Sequence, residues 1–366
     1  MHKKLLIFIP HLDIGGVEKN FFLISNFLSK KFDDVSVITI NSEFKKKLNK
    51  KIKLISPNNN RWKNSSIYTK YVISIFLLIK TLLVNKDSVI FSFQANWYAI
   101  IIAKIFGQRI ISRSNTAPEG WSKNNFKKIL YKLIINLADT ILVNSIEFKK
   151  NLKKNFNVNA VCIYNPLNRS NILKLSKIRK KINFFKSKKS LRILNIGRLT
   201  DQKNQLLILK SIKYLKKQIP VKVIIVGKGG NYAVLKNYIR QNNLNDKILL
   251  INGINNPYPY IKHCDIFLLS SNYEGLPNVL LEAQCFKKII ISTKCPTGPQ
   301  EILLNGKAGI FFKMNDFKDL SKKIIYVYKN KNKMINKVNN GYNNLHRFDE
   351  KKNLEMYYQV ILKHFK

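Results

Sequence analysis

A chain of 366 residues with 45% hydrophobic content is long enough for about two domains, each with a sizeable core. That apolar and aromatic content excludes wholesale disorder. The four cysteines (Cys162, Cys264, Cys285 and Cys295) form no C-x-x-C pair and sit in or beside apolar runs. This excludes a disulfide scaffold and zinc-ligand spacing, and fits reduced, mostly buried thiols.

Charge needs separate treatment. Lys and Arg total 66 against 20 Asp and Glu, a formal net charge of +46, and only nine of the 66 are arginine. Lys, Asn and Ile are all abundant and all have AT-rich codons, so base composition accounts for much of the excess. A nucleic-acid reader is expected to carry arginine-rich or aromatic clusters on one basic face, and none is found. The surface is nonetheless expected to attract anionic lipid headgroups.

In chain order, short apolar runs alternate with amphipathic ones. The spacing predicts strands at 5–10, 35–40, 88–93, 109–113, 140–145 and 160–165. A second series is predicted at 192–197, 221–227, 248–253, 266–270, 289–293 and 309–312. Most are continuously apolar, as in parallel strands covered on both faces. Phe126, Ile129, Leu130, Leu133, Ile134 and Leu137 follow helical spacing, as do Leu354, Tyr357, Tyr358, Ile361, Leu362 and Phe365. The opening apolar run breaks at Pro10 and is too short for a signal peptide. The stretch 71–84 contains Lys80 and is shorter than the roughly 20 residues that span a bilayer. It is expected as a buried helix, or as one that also touches a membrane surface.

The fold class is therefore α/β, with two Rossmann-like, doubly wound parallel-sheet domains. The expected organisation is an N-terminal domain over 1–170, a linker over 171–190, a second domain over 191–345 and a terminal segment over 346–366.

Ligands of such sheets bind beyond the carboxyl ends of the strands, so the following loops carry the chemistry. The first holds His11, Gly15, Gly16, Val17 and Glu18. Its paired glycines allow close backbone approach before a helix whose N–H groups suit an anion, although a plain tight turn needs no more. The second is Gly197-Arg198-Leu199-Thr200-Asp201-Gln202-Lys203, where two cations could clamp a diphosphate. The third, Gly227-Lys228-Gly229-Gly230, lacks the third glycine of a dinucleotide fingerprint and reads better as a turn. The fourth carries Glu274, Gly275, Leu276, Pro277, Asn278 and Val279, with Glu282 about a turn into the next helix. Helix capping would explain Glu274 but not Glu282, which sits on an otherwise apolar segment. The fifth runs from Cys295 through Thr297, Gly298 and Pro299 to Glu301, where Gly298 reads as a helix cap.

Taken together and in order, Gly15-Gly16-Val17-Glu18, Gly197-Arg198 with Lys203, the E-x7-E pattern Glu274–Glu282 and Thr297-Gly298-Pro299-Gln300-Glu301-Ile302-Leu303 resemble glycosyltransferase family 4 over almost the whole chain. The resemblance implies the GT-B fold, two Rossmann-like domains facing a cleft, with the last helix returning to the first domain. It implies transfer of a sugar from a nucleotide-sugar, by default a UDP-sugar, with retention of configuration. Arg198 and Lys203 would then hold the diphosphate and Glu274 the donor sugar. Glu282 would hold the ribose. Gly275, Leu276, Asn278, Val279, Gly253, Gly15 and Gly16 would line the donor site.

Family members often carry a histidine after a mid-domain strand. Here that strand continues Arg113-Ser114-Asn115, so Arg113, Asn115 and His11 are the expected sugar or acceptor contacts. No D-x-D motif occurs, so no metal and no cofactor is expected. The Cys295–Leu303 stretch is most similar to bacterial enzymes building surface polysaccharides. This implies a glycan or polyprenyl-diphosphate-linked acceptor, and a cytoplasmic location peripheral to the inner face of an anionic membrane. The weighed alternatives are a nucleotide-sugar 2-epimerase of the same fold, a basic nucleic-acid- or membrane-binding non-enzyme, and a non-catalytic scaffold.

Overall fold

In a computed structural model the apolar runs become strands and the amphipathic runs pack over them. The structure describes residues 4–12, 15–57, 62, 65–94, 96–115, 125–178, 182–187, 189–215 and 218–365. The chain divides into two units, one of residues 1–166 with 348–366 and one of residues 167–347.

Unit 1 begins with β1 (Lys4–Phe8), α1 (Gly16–Leu28), β2 (Asp34–Ile38) and β3 (Lys53–Ile55). It continues with α2 (Ile67–Val84), β4 (Ser88–Ser92), α3 (Asn96–Ile105), β5 (Arg109–Arg113), α4 (Asn125–Asn136), β6 (Thr140–Val143), α5 (Ile146–Phe156) and β7 (Val161–Cys162). Among the described residues these seven strands form one parallel sheet of order β3-β2-β1-β4-β5-β6-β7. The edge strand β3 was not expected from the sequence: it is three residues long, only half-buried, and opens on Lys53.

Unit 2 contains α6 (Arg169–Ser176), β8 (Leu191–Ile196), α7 (Gln205–Leu215), β9 (Val221–Gly227), α8 (Tyr232–Gln241), β10 (Ile248–Asn252) and α9 (Tyr258–His263). Then come β11 (Ile266–Leu269), α10 (Asn278–Cys285), β12 (Ile289–Thr293), α11 (Pro299–Ile302), β13 (Ile310–Phe312), α12 (Phe317–Lys329) and α13 (Ile335–Asn343). The six described strands are again parallel, in the order β10-β9-β8-β11-β12-β13. The strand order reverses between β8 and β11, and it is beyond the carboxyl ends of strands at such a switch point that sheets of this kind bind ligands.

Two expectations need revision. The stretch 171–190 falls within unit 2 rather than between units. Asn168 caps α6 by accepting from the Asn171 amide, Ile172 and Ser176 are buried one turn apart, and α6 packs on α9 and α10. The helix over 71–84 is not buried as expected. Ser74, Leu78, Thr81 and Leu82 face the sheet, but the opposite face of α2 is exposed.

The terminal helix α14 (Glu350–Leu362) belongs to unit 1. Asp349 caps it, accepting from the Lys352 amide. Leu354, Tyr357 and Ile361 recur on one face and join the core of β1 and α1. Burying each is worth about 1.5–3 kcal/mol, which ties the end of the chain to its beginning. The Tyr357 hydroxyl also accepts a hydrogen bond at 2.9 Å from Nε of Arg113, a fully buried arginine at the end of β5.

Tyr357→Phe leaves that buried guanidinium N–H without its acceptor. It is expected to destabilise unit 1 by about 1.5–3 kcal/mol, read as a lower urea midpoint for the unit 1 transition. An unchanged midpoint would mean that the bond adds nothing to stability.

Candidate functional site

The carboxyl edge of the second sheet brings most of the expected donor residues onto two laced loops. The loop after β8 carries Arg198 and Lys203, and the loop after β11 carries Glu274. Lys203 Nζ lies 2.5 Å from Glu274 Oε1, with both side chains largely buried. Ser271 donates its hydroxyl to the same carboxylate oxygen at 2.6 Å.

Backbone groups are stitched as well. The Asn272 amide donates to Gln202 O at 2.8 Å, Gln202 Nε2 to Tyr273 O at 3.0 Å, and Ser270 Oγ to Lys203 O at 2.7 Å. Arg198 stands apart from this lacing. It is exposed, and its guanidinium makes a long 3.4 Å contact to Gln202 Oε1. An exposed guanidinium on the same loop as a paired ammonium is a suitable set of charges for a diphosphate.

Glycine contacts explain why these loops sit so close. A Cβ on Gly227 would fall 1.9 Å from Gly197 O, so the turns after β8 and β9 touch through their backbones. The Gly227–Gly230 segment is thus a packing turn, as its sequence suggests. Gly253 has φ +77°, and the Lys228 side chain lies across it.

The fifth motif buttresses the fourth. Thr297 donates its hydroxyl to Glu274 O, and a Cβ on Gly298 would meet Gly275 O at 1.9 Å and Leu276 Cα at 2.8 Å. Glu301 is spent on an ion pair with Arg347 at 3.0 Å. Cys295 is buried beside the same loop. Burial, reinforced by the Glu274 charge, pushes its thiol up to about 12, so it stays protonated and is no nucleophile.

Gly275, Leu276 and Pro277 lead into α10, which no side chain caps. Asn278 and Val279 form its first turn and are half-buried. Glu282 is buried one turn on, and its Oε1 accepts from the Tyr258 hydroxyl of α9 at 3.4 Å. Glu274 and Glu282 therefore flank the start of one short helix. Sequence reasoning missed Ser271 as the hydroxyl partner of Glu274. The signal was present: Ser270-Ser271 directly follows the fully apolar β11.

The unit 1 residues behave differently. Arg113 was expected as a sugar or acceptor contact. Its burial is complete, and its donors go to Tyr357 Oη, Asn115 Oδ1 and, at 2.7 Å, Asn165 Oδ1. It braces strand ends and offers no face to a ligand. Asn115 accepts from Arg113 and donates to Phe93 O at 2.7 Å. His11 is half-buried, its Nδ1 3.2 Å from Asn41 Oδ1. Gly15 is the N-cap of α1 and Gly16 its first residue. A Cβ on Gly15 would lie 2.7 Å from Glu18 Oε2, so the helix start already carries an anion of its own.

Comparison with known proteins adds family information to this geometry. Residues 176–344, nearly all of unit 2, match the family Glycosyl transferases group 1. One relative is the N-acetylgalactosamine-N,N'-diacetylbacillosaminyl-diphospho-undecaprenol 4-alpha-N-acetylgalactosaminyltransferase of Campylobacter jejuni, 28% identical over 86% of this chain and 87% of its own. Another from the same organism is a GalNAc-alpha-(1->4)-GalNAc-alpha-(1->3)-diNAcBac-PP-undecaprenol alpha-1,4-N-acetyl-D-galactosaminyltransferase, 25% identical over 92% of each chain. Among solved structures, Anabaena Alr3699/HepE in complex with UDP matches with a TM-score of 0.77 and 16% identity, covering 98% of this chain and all of that one. At that identity the likeness shows the GT-B fold alone.

Gly298→Ala must push the Gly275–Pro277 loop aside. It is expected to cost about 1–3 kcal/mol of unit 2 stability and to reduce transfer. Gly230→Ala is the control, because a Cβ there meets nothing within 4 Å. Urea unfolding and turnover of both variants check this, and equal behaviour would contradict the buttress.

Proposed function

We propose that this chain, whose residues 176–344 match the group 1 glycosyltransferases, moves a sugar from a UDP-sugar to a hydroxyl of a lipid-linked, diphosphate-bearing glycan, with retention of anomeric configuration. One observation carries the donor half of this reading. Arg198, Lys203 and Glu274 converge at the switch point of the second sheet, where a diphosphate and its sugar find two cations and a carboxylate together.

In this reading Lys203 and Arg198 grip the diphosphate, Lys203 as a point charge and Arg198 through its planar fork. Glu282 accepts from the ribose hydroxyls, held in place by Tyr258. Glu274, fixed by Ser271 and by the Thr297 clamp on its carbonyl, orients the sugar ring. As the glycosidic bond breaks, negative charge gathers on the leaving diphosphate. In this reading the two cations sit against that diphosphate, so their attraction is greatest in the transition state. The acceptor hydroxyl approaches on the face of the departing diphosphate, whose oxygen takes its proton.

Positioning and fixed charge thus supply most of the acceleration, and no metal is needed in this account. Two relatives named for undecaprenol-linked substrates support the acceptor class. An acceptor anchored in a bilayer would place this enzyme on the inner membrane face, where a net charge of +46 favours anionic lipid.

Calorimetry with UDP tests the donor site. Binding is expected to be indifferent to magnesium and about tenfold or more weaker in Arg198→Ala, which loses charge-assisted hydrogen bonds. Equal affinity in the variant would contradict the assignment. Product NMR is expected to show the donor's anomeric configuration kept, and inversion would contradict the front-face route.

A further inference from the structure

Three helices of unit 1, α2, α3 and α4, lie side by side over one face of its sheet. Their inner faces bury Leu78, Leu82, Ile100, Ala103 and Ile134 with Leu6, Phe8 and Ile90 of the strands. Their outer faces are apolar too. Tyr68, Val72 and Phe76 recur every four residues along α2, with Phe76 64% exposed. Ile101 and Ile105 repeat the interval on α3, with Ile105 74% exposed, and Ile129 and Leu133 repeat it on α4. A soluble surface rarely gathers so many large apolar side chains on one layer.

The charge on this layer is one-sided. The three helices contain Lys70, Lys80, Lys104, Lys127, Lys128 and Lys132 and no Asp or Glu, and Asp139 just beyond α4 pairs with Lys104 at 2.7 Å. The helices elsewhere in unit 1 each carry acid: Glu18 on α1, Glu147 on α5, and Glu350 and Glu355 on α14. Exposed Lys80 continues the four-residue stripe of α2, and exposed Lys132 flanks Leu133. Half-buried aromatic rings tie the layer together. Tyr71 of α2 meets Tyr98 of α3 at 6.4 Å, and Trp97 of α3 meets Tyr131 of α4 at 5.1 Å. Tyr and Trp favour the headgroup level of a bilayer, where one end of the ring is apolar and the other wet.

We propose that the outer face of α2, α3 and α4 is the surface that docks this enzyme on an anionic bilayer, the helices lying in the interface plane with their outer stripes in the headgroup–acyl boundary. This rests on the lipid-linked acceptor reading and gives it an address on the protein. A second copy of the chain fits poorly, because a two-fold contact would bring exposed Lys80 and Lys132 and their copies together on helices that carry no Asp or Glu. Although α2 is long and apolar enough to cross a membrane, its inner face belongs to the sheet's core, so the helix lies on the bilayer rather than spanning it. Unit 1's sheet would then run roughly parallel to the membrane surface.

The test is co-sedimentation of the full chain with phosphatidylcholine vesicles, with and without phosphatidylglycerol. The variant combines Val72→Ser, Phe76→Ser, Ile105→Ser and Leu133→Ser, all at exposed positions. A control replaces exposed Lys236, Lys318 and Lys329 of unit 2 by Gln. Wild type is expected to bind the phosphatidylglycerol vesicles, the serine variant about tenfold or more weakly, and the lysine control like wild type. Equal binding by the serine variant, no binding by wild type, or an equal loss in the lysine control would overturn the proposal. So would a lipid-free wild-type dimer that the serine variant cannot form. UDP calorimetry on the same samples reads the donor site separately, so the docking surface and the transferase reading can fail independently.

Discussion

A largely buried ion pair ties the two loops at the switch point of the second unit. Lys203 belongs to the loop leaving β8 and Glu274 to the loop leaving β11, the two strands at which the sheet reverses its winding. Their 2.5 Å contact draws together the two loops that leave this switch point. Removing one partner of such a pair commonly costs about 3–5 kcal/mol, because the other charge is stranded. Lys203 and Glu274 are therefore structural as well as candidate ligand contacts. Arg198 is exposed and lightly held, and is the member of the trio whose replacement reports on ligand contact with least disturbance to the fold.

Unit 1 has a buried charge of its own, with a different purpose. Arg113 gives its donors to Tyr357, Asn115 and Asn165, and its guanidinium lies 5.4 Å from the centre of the Phe93 ring. The partners come from the end of β5, the segment after β7 and the terminal helix, so one side chain fixes three places. Buried ionic groups of this kind do little for net stability but penalise any other arrangement strongly. The terminal helix is thus held both by apolar burial and by a directional bond.

Much of this was legible in the sequence, for physical reasons. Parallel strands covered on both faces must be continuously apolar, and twelve of the thirteen described strands announce themselves that way. Arg198 and Glu274 stood out because arginine and acid are scarce in this chain, and Lys203 because it shares Arg198's loop at the head of a helix. The misses have equally definite causes. β3 is short and half-exposed, so it has no apolar run to betray it. α6 sits in a basic stretch and buries only Ile172 and Ser176. α2 is apolar on every side, a pattern that reads as burial unless the outer face has another partner. Arg113 sits at a strand end like a ligand contact, but its Tyr357 partner lies 244 residues away, a relation that no local pattern reveals.

In the proposed function the nucleotide diphosphate lies where the loops after β8 and β11 meet. A crystal structure of the protein with UDP tests it most directly. The account predicts diphosphate oxygens within about 2.7–3.2 Å of both the Arg198 guanidinium and Lys203 Nζ, with the ribose against Glu282. UDP held elsewhere, or held at this edge without touching Arg198 and Lys203, would contradict it.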